Sequence, residues 1–244
     1  MKIISLSEGA FTIDKSKKFI PFNIQTDELN SRPTGSLLVE IQPFLVITKN
    51  DVILLDTGLG FVDETGQIQL FDSIKKNGFE RGQVTKVLIS HLHKDHSGGI
   101  SNPLNRSTLS FSNATYYVNK KEFEHAISEP SASYLREYFE ALSTSEKVVF
   151  LDDEGDIDNY IHYELTGGHS IYHQVFWIKE NNETIFFGGD VAPQLQQMKS
   201  RFVAKYDFDG KKSMELRRHW AEAGKDEKWT FLFYHDIKNP VYQL

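Results

Sequence analysis

The stretch Ser90-His91-Leu92-His93-Lys94-Asp95-His96-Ser97-Gly98-Gly99 decides how this sequence folds and what it can bind. It follows the apolar run Val87-Leu88-Ile89, which is typical of a β-strand buried on both faces. His91 and His93 are two positions apart, so their side chains share one face if the end of the strand stays extended. An aspartate and a third histidine follow in a turn. Three histidines and one aspartate so close together predict a metal site at the end of a buried strand.

Three later motifs offer further metal ligands. They are Gly168-His169-Ser170, Gly188-Gly189-Asp190 and Phe233-Tyr234-His235. Each stands just after an apolar run or at a glycine-containing bend, which is how a side chain at the end of a strand is presented. Strand ends at one edge of a folded domain converge in space although they are far apart in sequence. We therefore expect His169, Asp190 and His235 to join the first cluster.

The composition narrows the class of protein. The chain has 244 residues, of which 39% are hydrophobic and 25% charged, and this is typical of a soluble globular protein. The chain carries no low-complexity linker and no repeat, so we predict one domain over residues 1–244. The sequence contains no cysteine. Disulfides, cysteine zinc sites and thiol catalysis are thus excluded, and histidine nitrogens and carboxylate oxygens are left as metal ligands.

Charge and hydropathy bear on partners and location. The formal net charge of −7 disfavours nucleic acid, which is bound by basic surfaces. Ser5, Ser7 and Glu8 interrupt the apolar N-terminal run, so no signal peptide is predicted. No stretch approaches the roughly 20 apolar residues that span a bilayer. We expect a cytoplasmic protein with a small-molecule substrate and neither a nucleic-acid nor a membrane partner.

The rest of the chain indicates two sheets with helices outside them. Apolar runs predict strands, and two pairs of these strands are joined by the turns Lys49-Asn50 and Asn181-Asn182. Helices are predicted at residues 72–77, 120–127, 133–142 and 211–222. Pro130 is predicted to end the second helix, and Gly224 the last one. Residues 13–35 show little periodicity and are predicted to form a long loop.

The motifs in this order resemble those of the metallo-β-lactamase superfamily. The shared elements are the His-x-His-x-Asp-His signature at residues 91–96, the upstream Asp56-Thr57-Gly58 turn and the three later motifs. The resemblance covers most of the chain. It implies an α/β fold, namely an αβ/βα four-layer sandwich of two mixed β-sheets flanked by helices, with the site at one edge.

The resemblance also implies the role of each ligand. One metal ion would be bound by His91, His93 and His169, and a second by Asp95, His96 and His235, while Asp190 would bridge the two. His173, four residues after His169, is the alternative ligand on that loop. The expected cofactors are two divalent ions, with Zn²⁺ favoured and Mn, Fe or Co left open.

The ligand set predicts hydrolytic chemistry. Two divalent ions can share a water and lower its pKa from about 15.7 towards neutrality, and the resulting metal-bound hydroxide would attack a carbonyl or phosphoryl centre. Asp95 would orient this hydroxide and act as the general acid and base. Asp56 is expected to support a ligating histidine rather than to bind metal itself.

Among metal-dependent hydrolases, an esterase or lactonase is favoured. Residues 187–193, 206–209 and 233–236 resemble those of quorum-quenching lactonases, which implies an ester or lactone substrate such as an acyl-homoserine lactone. Those enzymes place a tyrosine three residues after the bridging aspartate, whereas this chain has Pro193 there. Tyr206 and Tyr234 are the two candidates to replace it.

Other assignments stay open at this stage. The alternatives are a phosphodiesterase or organophosphate hydrolase, which uses the same metals, and a non-catalytic metal-binding protein of the same fold. The N-terminal aromatic residues either line the substrate pocket or pack beneath the long loop; they are Phe11, Phe19 and Phe22. An apolar patch on this loop would also allow a homodimer.

Overall fold

The computed structural model describes residues 1–129 and 131–244, and most of its regular elements are strands. The strands are β1 Lys2–Ser5, β2 Gly9–Ile13, β3 Phe19–Pro21, β4 Leu37–Ile41, β5 Phe44–Ile47, β6 Val52–Leu55, β7 Lys86–Leu88, β8 Ser101–Asn102, β9 Asn105–Leu109, β10 Thr115–Asn119, β11 Val148–Leu151, β12 Glu154–Ile157, β13 Ile161–Leu165, β14 Gln174–Glu180, β15 Glu183–Phe187, β16 Thr230–Leu232 and β17 Val241–Gln243. The α-helices are α1 Gln69–Lys76, α2 Lys94–Ser97, α3 Lys120–Ser128, α4 Leu195–Met198 and α5 Gly210–Asp226.

Two six-stranded mixed sheets form the centre of the fold. The first has the order β1-β5-β6-β7-β10-β11, and its last four strands run parallel. The second has the order β12-β13-β14-β15-β16-β17, in which only β15 and β16 are parallel. A smaller sheet, β3-β2-β4, is formed by the N-terminal segment.

Alternating side chains of the central strands separate the layers. In β6, Ile53 and Leu55 pack into the core between the two large sheets, whereas Leu54 packs beneath α1 and α3 on the outer face. In β15, Phe187 likewise faces the core between the sheets, and Phe186 packs against Trp220 of α5. Strands that are apolar on both faces are therefore covered on both faces. The predicted αβ/βα four-layer sandwich is confirmed.

The two predicted hairpin turns are present. β5 and β6 pair antiparallel on either side of Lys49-Asn50, and β14 and β15 pair around Asn181-Asn182. Both asparagines of the second turn have positive φ, 50° and 62°. Two successive residues in this region define a type I′ turn, for which asparagine is favoured.

Two helix predictions were wrong in part. Residues 133–142 were expected to form one helix, but they form the 3₁₀ segments Arg136–Tyr138 and Glu140–Thr144, with Phe139 at φ −133° between them. Gly224 was expected to end the last helix, which instead continues to Asp226. A Cβ at Gly224 would lie 2.4 Å from the Phe231 ring, so this glycine allows the close approach of α5 to β16.

The N-terminal segment contains more regular structure than its sequence pattern indicated. Residues 13–35 were predicted as a loop, yet they contain β3 and a 3₁₀ turn at Leu29–Ser31. Pro130, predicted to end a helix, lies outside the described residues, and α3 ends at Ser128. Over residues 1–129 and 131–244, no helix combines the length and the apolar character needed to cross a bilayer.

Candidate metal centre

The signature loop is fixed at both ends by parallel strands and a short helix. β7 lies between β6 and β10, and the amide of Ile89 continues the pairing by donating to Tyr117. His93 then precedes α2, where its carbonyl accepts from the amides of His96 and Ser97. This geometry turns the chain through nearly one helical turn directly beyond a buried strand. The four potential ligands of the loop are consequently presented at the same edge of the sheet.

One group of histidine nitrogens converges at this edge. His91 Nε2 lies 2.9 Å from His93 Nδ1, and His169 Nε2 lies 3.1 Å from the same atom. His169 arrives from the loop between β13 and β14 in the second sheet. These three side chains form a group whose ligand atoms all lie within 4.8 Å of one another.

A second group lies beside the first. His96 Nε2 and His235 Nε2 lie 3.6 Å and 3.5 Å from Asp95 Oδ2. His235 follows β16, the strand next to β15 in the second sheet. The structure thus brings together the two trios expected from the sequence, each with contributions from both sheets.

Asp190 stands between the two groups. Its Oδ1 is 3.2 Å from His96 Nε2 and 3.0 Å from His235 Nε2, whereas its Oδ2 is 3.3 Å from His169 Nε2. The preceding Gly189 has φ +46°, and a Cβ there would lie 2.6 Å from His173 Nε2. A glycine is therefore needed for the bend that aims the carboxylate at both groups.

His173, the alternative ligand, points elsewhere. Its Nε2 accepts from the backbone amide of Asp190 at 3.1 Å, and its Nδ1 lies 3.1 Å from Thr166 Oγ1. Both ring nitrogens are thus engaged. His173 orients the turn that carries Asp190, and His169 is the residue of this loop that reaches the cluster.

The outer nitrogens of four clustered histidines each have a partner. His96 Nδ1 lies 2.7 Å from Asp56 Oδ2, and His169 Nδ1 lies 2.9 Å from Asp207 Oδ1. His235 Nδ1 lies 2.7 Å from the carbonyl oxygen of Glu40, and His91 Nδ1 lies 3.1 Å from Ser90 Oγ. A proton on Nδ1 satisfies all four contacts. It leaves each Nε2 lone pair directed at the cluster, the arrangement found around metal-binding histidines.

Asp56 is held in a turn that packs tightly on the signature loop. It takes φ +54°, and besides His96 its carboxylate accepts from the amide and hydroxyl of Ser90. The expected contact between Asp56 and a site histidine is therefore present. The buried Glu8 packs against the same turn at Gly58, and its carboxylate accepts from the Leu59 amide. Burial raises the pKa of Glu8 to about 7.

The electrostatics of the cluster favour a cation. Burial and the neighbouring histidines hold the pKa of His91 and of His93 well below the ordinary value, so both rings are neutral. Burial alone would also lower the pKa of His96, but the charges of Asp190, Asp95 and Asp56 outweigh it and raise that pKa. Neutral imidazoles with free lone pairs, held beside buried carboxylates, attract a proton or a metal ion.

Unsatisfied buried atoms show that the residues fit a metal. His96 Nε2 and Asp190 Oδ1 are buried and make no hydrogen bond within the described residues, although they lie 3.2 Å apart. Burying such atoms unpaired is unfavourable. Histidine nitrogens and carboxylate oxygens together are the donor set of hydrolytic zinc sites, so a pair of divalent ions would satisfy these atoms.

The cluster opens into a cavity of about 520 Å³, a size typical of small-molecule sites. Site residues form its floor: His93, Asp95, His169, Asp190 and His235. Apolar side chains of the N-terminal sheet and of the segment after Asp190 form its walls: Ile13, Phe19, Leu37, Leu38, Val39, Pro193, Phe202 and Tyr206. Of the three N-terminal aromatic residues left between two roles, Phe19 lines the pocket, whereas Phe11 and Phe22 do not line it and are buried.

The two candidate tyrosines differ in position. Tyr206 lines the cavity near His169, and burial raises its pKa to about 12. Tyr234 is fully buried, stacks on the His96 ring and donates to the carbonyl of Asp95. Only Tyr206 of this pair is placed to meet a substrate.

Several supporting residues were not assigned a role from the sequence. Asp207 lies far along the chain from His169, and only the folded structure shows their contact. Glu122 of α3 is buried and accepts from the Leu92 amide and from the Tyr134 hydroxyl, while the Tyr134 ring packs on His93. The signal for Glu122 would have been a carboxylate on the apolar face of a predicted helix.

Comparisons of sequence identify relatives. N-acyl homoserine lactonase AttM of Agrobacterium fabrum is 29% identical over 164 residues, which cover 62% of this chain and 59% of that protein. The matched segment therefore spans less than two thirds of its length. N-acyl homoserine lactonase of Bacillus thuringiensis is 26% identical over 251 residues, covering 92% of this chain and 94% of the other.

Comparisons of structure agree on the fold. A probable metal-dependent hydrolase from Staphylococcus aureus superposes with a TM-score of 0.80 at 19% identity, covering 99% of this chain and 91% of the other. AidC, a dizinc quorum-quenching lactonase, gives 0.74 at 20% identity, covering 98% and 88%. The sequence profile of the metallo-beta-lactamase superfamily matches residues 41–231, which hold all of the clustered side chains except His235. The chain belongs to the metallo-beta-lactamase superfamily.

Proposed function

We propose that this protein is a metal-dependent hydrolase that uses a dinuclear centre to cleave an ester or lactone in a small molecule. His91, His93 and His169 would hold one ion, and Asp95, His96 and His235 the other. The observation that carries the proposal is the position of Asp190, whose two carboxylate oxygens face the two groups separately. A single ion would use only one of these faces.

The chain's own residues supply the rest of the chemistry. Two divalent ions bound here would lower the pKa of a shared water and polarise the oxygen of the scissile carbonyl. Asp95 Oδ2 lies at the cavity floor, where it can accept the proton of the attacking water and return it to the leaving alcohol. Tyr206 stays protonated at neutral pH, since its pKa is about 12, and can donate a hydrogen bond to the substrate carbonyl.

Two observations support an ester or lactone as substrate. The curated relatives at 26–29% identity are named as N-acyl homoserine lactonases. The cavity walls beside the cluster are largely apolar, which suits an acyl chain next to a polar reacting centre. Zinc is the proposed metal because the donor set is nitrogen and oxygen and a solved protein of this fold is a dizinc lactonase.

The test measures metal content and hydrolysis together. Protein reconstituted with zinc would be assayed on an acyl-homoserine lactone, an aryl ester, a glutathione thioester, a bis-aryl phosphodiester and a β-lactam, with His93→Ala as the comparison. We expect two ions per chain and turnover of the lactone or the aryl ester, lost in His93→Ala and after chelation.

The alternatives have their own outcomes in this panel. Turnover of the phosphodiester alone would keep the metal centre and replace the proposed reaction by phosphodiester hydrolysis. Two ions per chain with no turnover of any compound would favour a binding role. A protein that binds no divalent ion would refute the proposal altogether.

A further inference from the structure

The mouth of the cavity is lined by four lysines. Lys15, Lys17, Lys94 and Lys205 all line it, in a chain whose formal net charge is −7. We call these four residues the cationic rim. Apart from Asp95 and Asp190 at the floor, the cavity is lined by a single carboxylate, that of Asp14, within residues 1–129 and 131–244. Asp14 accepts from the amide and hydroxyl of Ser16, so it is engaged within its own turn.

Two lysines of the rim are fixed by contacts between distant segments. Lys94 Nζ donates to the carbonyl of Lys17, and Lys17 Nζ donates to Ser133 Oγ at 2.6 Å. The Lys94 amide in turn donates to the carbonyl of Ser133 at 2.8 Å. A ring of three hydrogen bonds thereby joins the N-terminal turn at Lys17, the signature loop at Lys94 and the segment at Ser133. This ring holds two ammonium groups at one side of the cavity.

The backbone at Lys17 adopts an unfavourable conformation in the turn that carries this ring of hydrogen bonds. Its φ is +55°, a conformation that is unfavourable for a residue with a side chain. The turn is closed by the Lys17 amide, which donates to the carbonyl of Asp14. Lys94 Nζ also lies 5.4 Å from the centre of the Phe19 ring, an aromatic wall of the same cavity. The position of both charges is therefore built into the fold.

Neither ammonium group is neutralised by the protein. No carboxylate lies within 4.0 Å of Lys17 Nζ or Lys94 Nζ in the part of the chain that the structure describes. Like charges held near each other repel, and each Nζ keeps donors beyond its single contact. An anion bound at this side of the cavity would accept hydrogen bonds from the remaining donors and reduce the repulsion.

We propose that the cationic rim binds a negatively charged group of the substrate, so that the preferred substrates are esters or lactones whose acyl portion carries a carboxylate or a similar anion. This inference rests on the proposed function for the reaction at the cavity floor. Neutral acyl-homoserine lactones offer carbonyl oxygens to the rim but no anionic group. The anion would sit at the lysines while the scissile carbonyl reaches the metal centre.

The test compares two aryl esters of equal acyl length. 4-Nitrophenyl hexanoate is neutral, and the mono-4-nitrophenyl ester of adipic acid carries a terminal carboxylate. Both would be assayed with zinc-loaded wild type, Lys17→Gln, Lys94→Gln and Lys205→Gln. Lys18→Gln is the matched control, since Lys18 is exposed in the same turn but does not line the cavity.

We expect kcat/KM for the anionic ester to exceed that for the neutral ester by about tenfold or more, as one charged hydrogen bond would give. The ratio should fall about tenfold in Lys17→Gln and Lys94→Gln, stay at the wild-type value in Lys18→Gln and decrease with added salt. A ratio near one in the wild type, or one that survives both substitutions, overturns the inference.

A binding measurement separates this inference from the proposed reaction. The products adipate and hexanoate would be titrated calorimetrically into the same zinc-loaded proteins. If neither ester is cleaved, the proposed function fails, and tighter binding of adipate that is lost in Lys17→Gln still supports the rim. Equal binding of the two acids, with or without turnover, contradicts it.

Discussion

Removing the carboxylate of Asp207 should weaken metal binding without unfolding the protein. Asp207 Oδ1 lies 2.9 Å from His169 Nδ1, and the side chains of Asp207 and His169 are only 1% and 8% exposed. This contact fixes the tautomer and orientation of the His169 ring. The negative charge of Asp207 also makes His169 Nε2 a stronger electron-pair donor to a metal ion. Because water hardly screens the pair, its full effect should be felt at the ligand.

The expected loss of zinc affinity can be estimated from other carboxylates that are hydrogen-bonded to metal-binding histidines. Losing the hydrogen-bond partner of a metal-binding histidine weakens binding about 10- to 100-fold, or about 1.4–2.7 kcal/mol. We expect Asp207→Ala to lie near the upper end, because the pair is buried. Asp207→Asn keeps an oxygen that accepts from Nδ1 and loses only the charge, so it should lie near the lower end.

The assay is a competition titration of zinc against a chromophoric chelator, with Asp226→Asn as control. Asp226 is an exposed carboxylate at the end of α5. Urea unfolding of the metal-free proteins gives a second measurement. Asp207 Oδ2 makes no hydrogen bond within residues 1–129 and 131–244, so the cost of Asp207→Ala to the metal-free fold should be limited to the lost contact of Oδ1 with His169, about 1–3 kcal/mol. Unchanged zinc affinity in Asp207→Ala, or a loss of stability that is equal with and without zinc, would refute the reasoning.

Three further predictions concern stability, pH and catalysis. Gly189→Ala should lower the free energy of unfolding by about 2–4 kcal/mol in urea, since a side chain at φ +46° is strained and its Cβ would lie 2.6 Å from His173 Nε2; a loss below about 1 kcal/mol would contradict this. Burial raises the pKa of Glu122 from 4.5 to about 7, so its protonated form stabilises the metal-free fold below pH 4.5, and roughly 3 kcal/mol should be lost as pH rises to about 7. Glu122→Gln should remove that part of the pH dependence, measured by unfolding at several pH values, and an unaltered slope would exclude Glu122 as its source. Tyr206→Phe should lower kcat/KM for a cleaved ester by about 10- to 100-fold with zinc content unchanged, the loss of one hydrogen bond to a developing charge; wild-type kinetics would remove Tyr206 from the reaction.

The clustering of the candidate ligands could be predicted because they stand in motifs that follow a strand within a few residues. His91 and His93 follow β7 directly, and His235 stands shortly after β16. The direction and neighbours of such strands are determined by their apolar faces, so their ends meet at a predictable edge. Local motifs were therefore enough to gather all the expected ligands.

Residues that act through distant contacts could not be predicted. The segment 133–142 has the apolar spacing of a helix, but Tyr134 is drawn to Glu122 and Phe139 takes a non-helical φ. Tertiary contacts there override local propensity. Asp207 is a similar case, because nothing near it in sequence indicates a partner on another loop. The pairing of β2, β3 and β4 was missed for the same reason.

The positions of the metal ligands and of the cavity wall along the sequence bear on which substrates the protein selects. The superfamily profile matches residues 41–231, a range that contains every clustered histidine and aspartate except His235. The cavity wall formed by Lys15, Lys17, Phe19 and Leu37 lies before that range. Membership of the superfamily therefore supports the proposed reacting centre, whereas part of the cavity wall comes from the N-terminal segment outside the matched range. A chain can keep the metal chemistry of its relatives and act on differently charged molecules, because Lys15 and Lys17 of the cationic rim lie outside the matched range, although Lys94 and Lys205 lie within it.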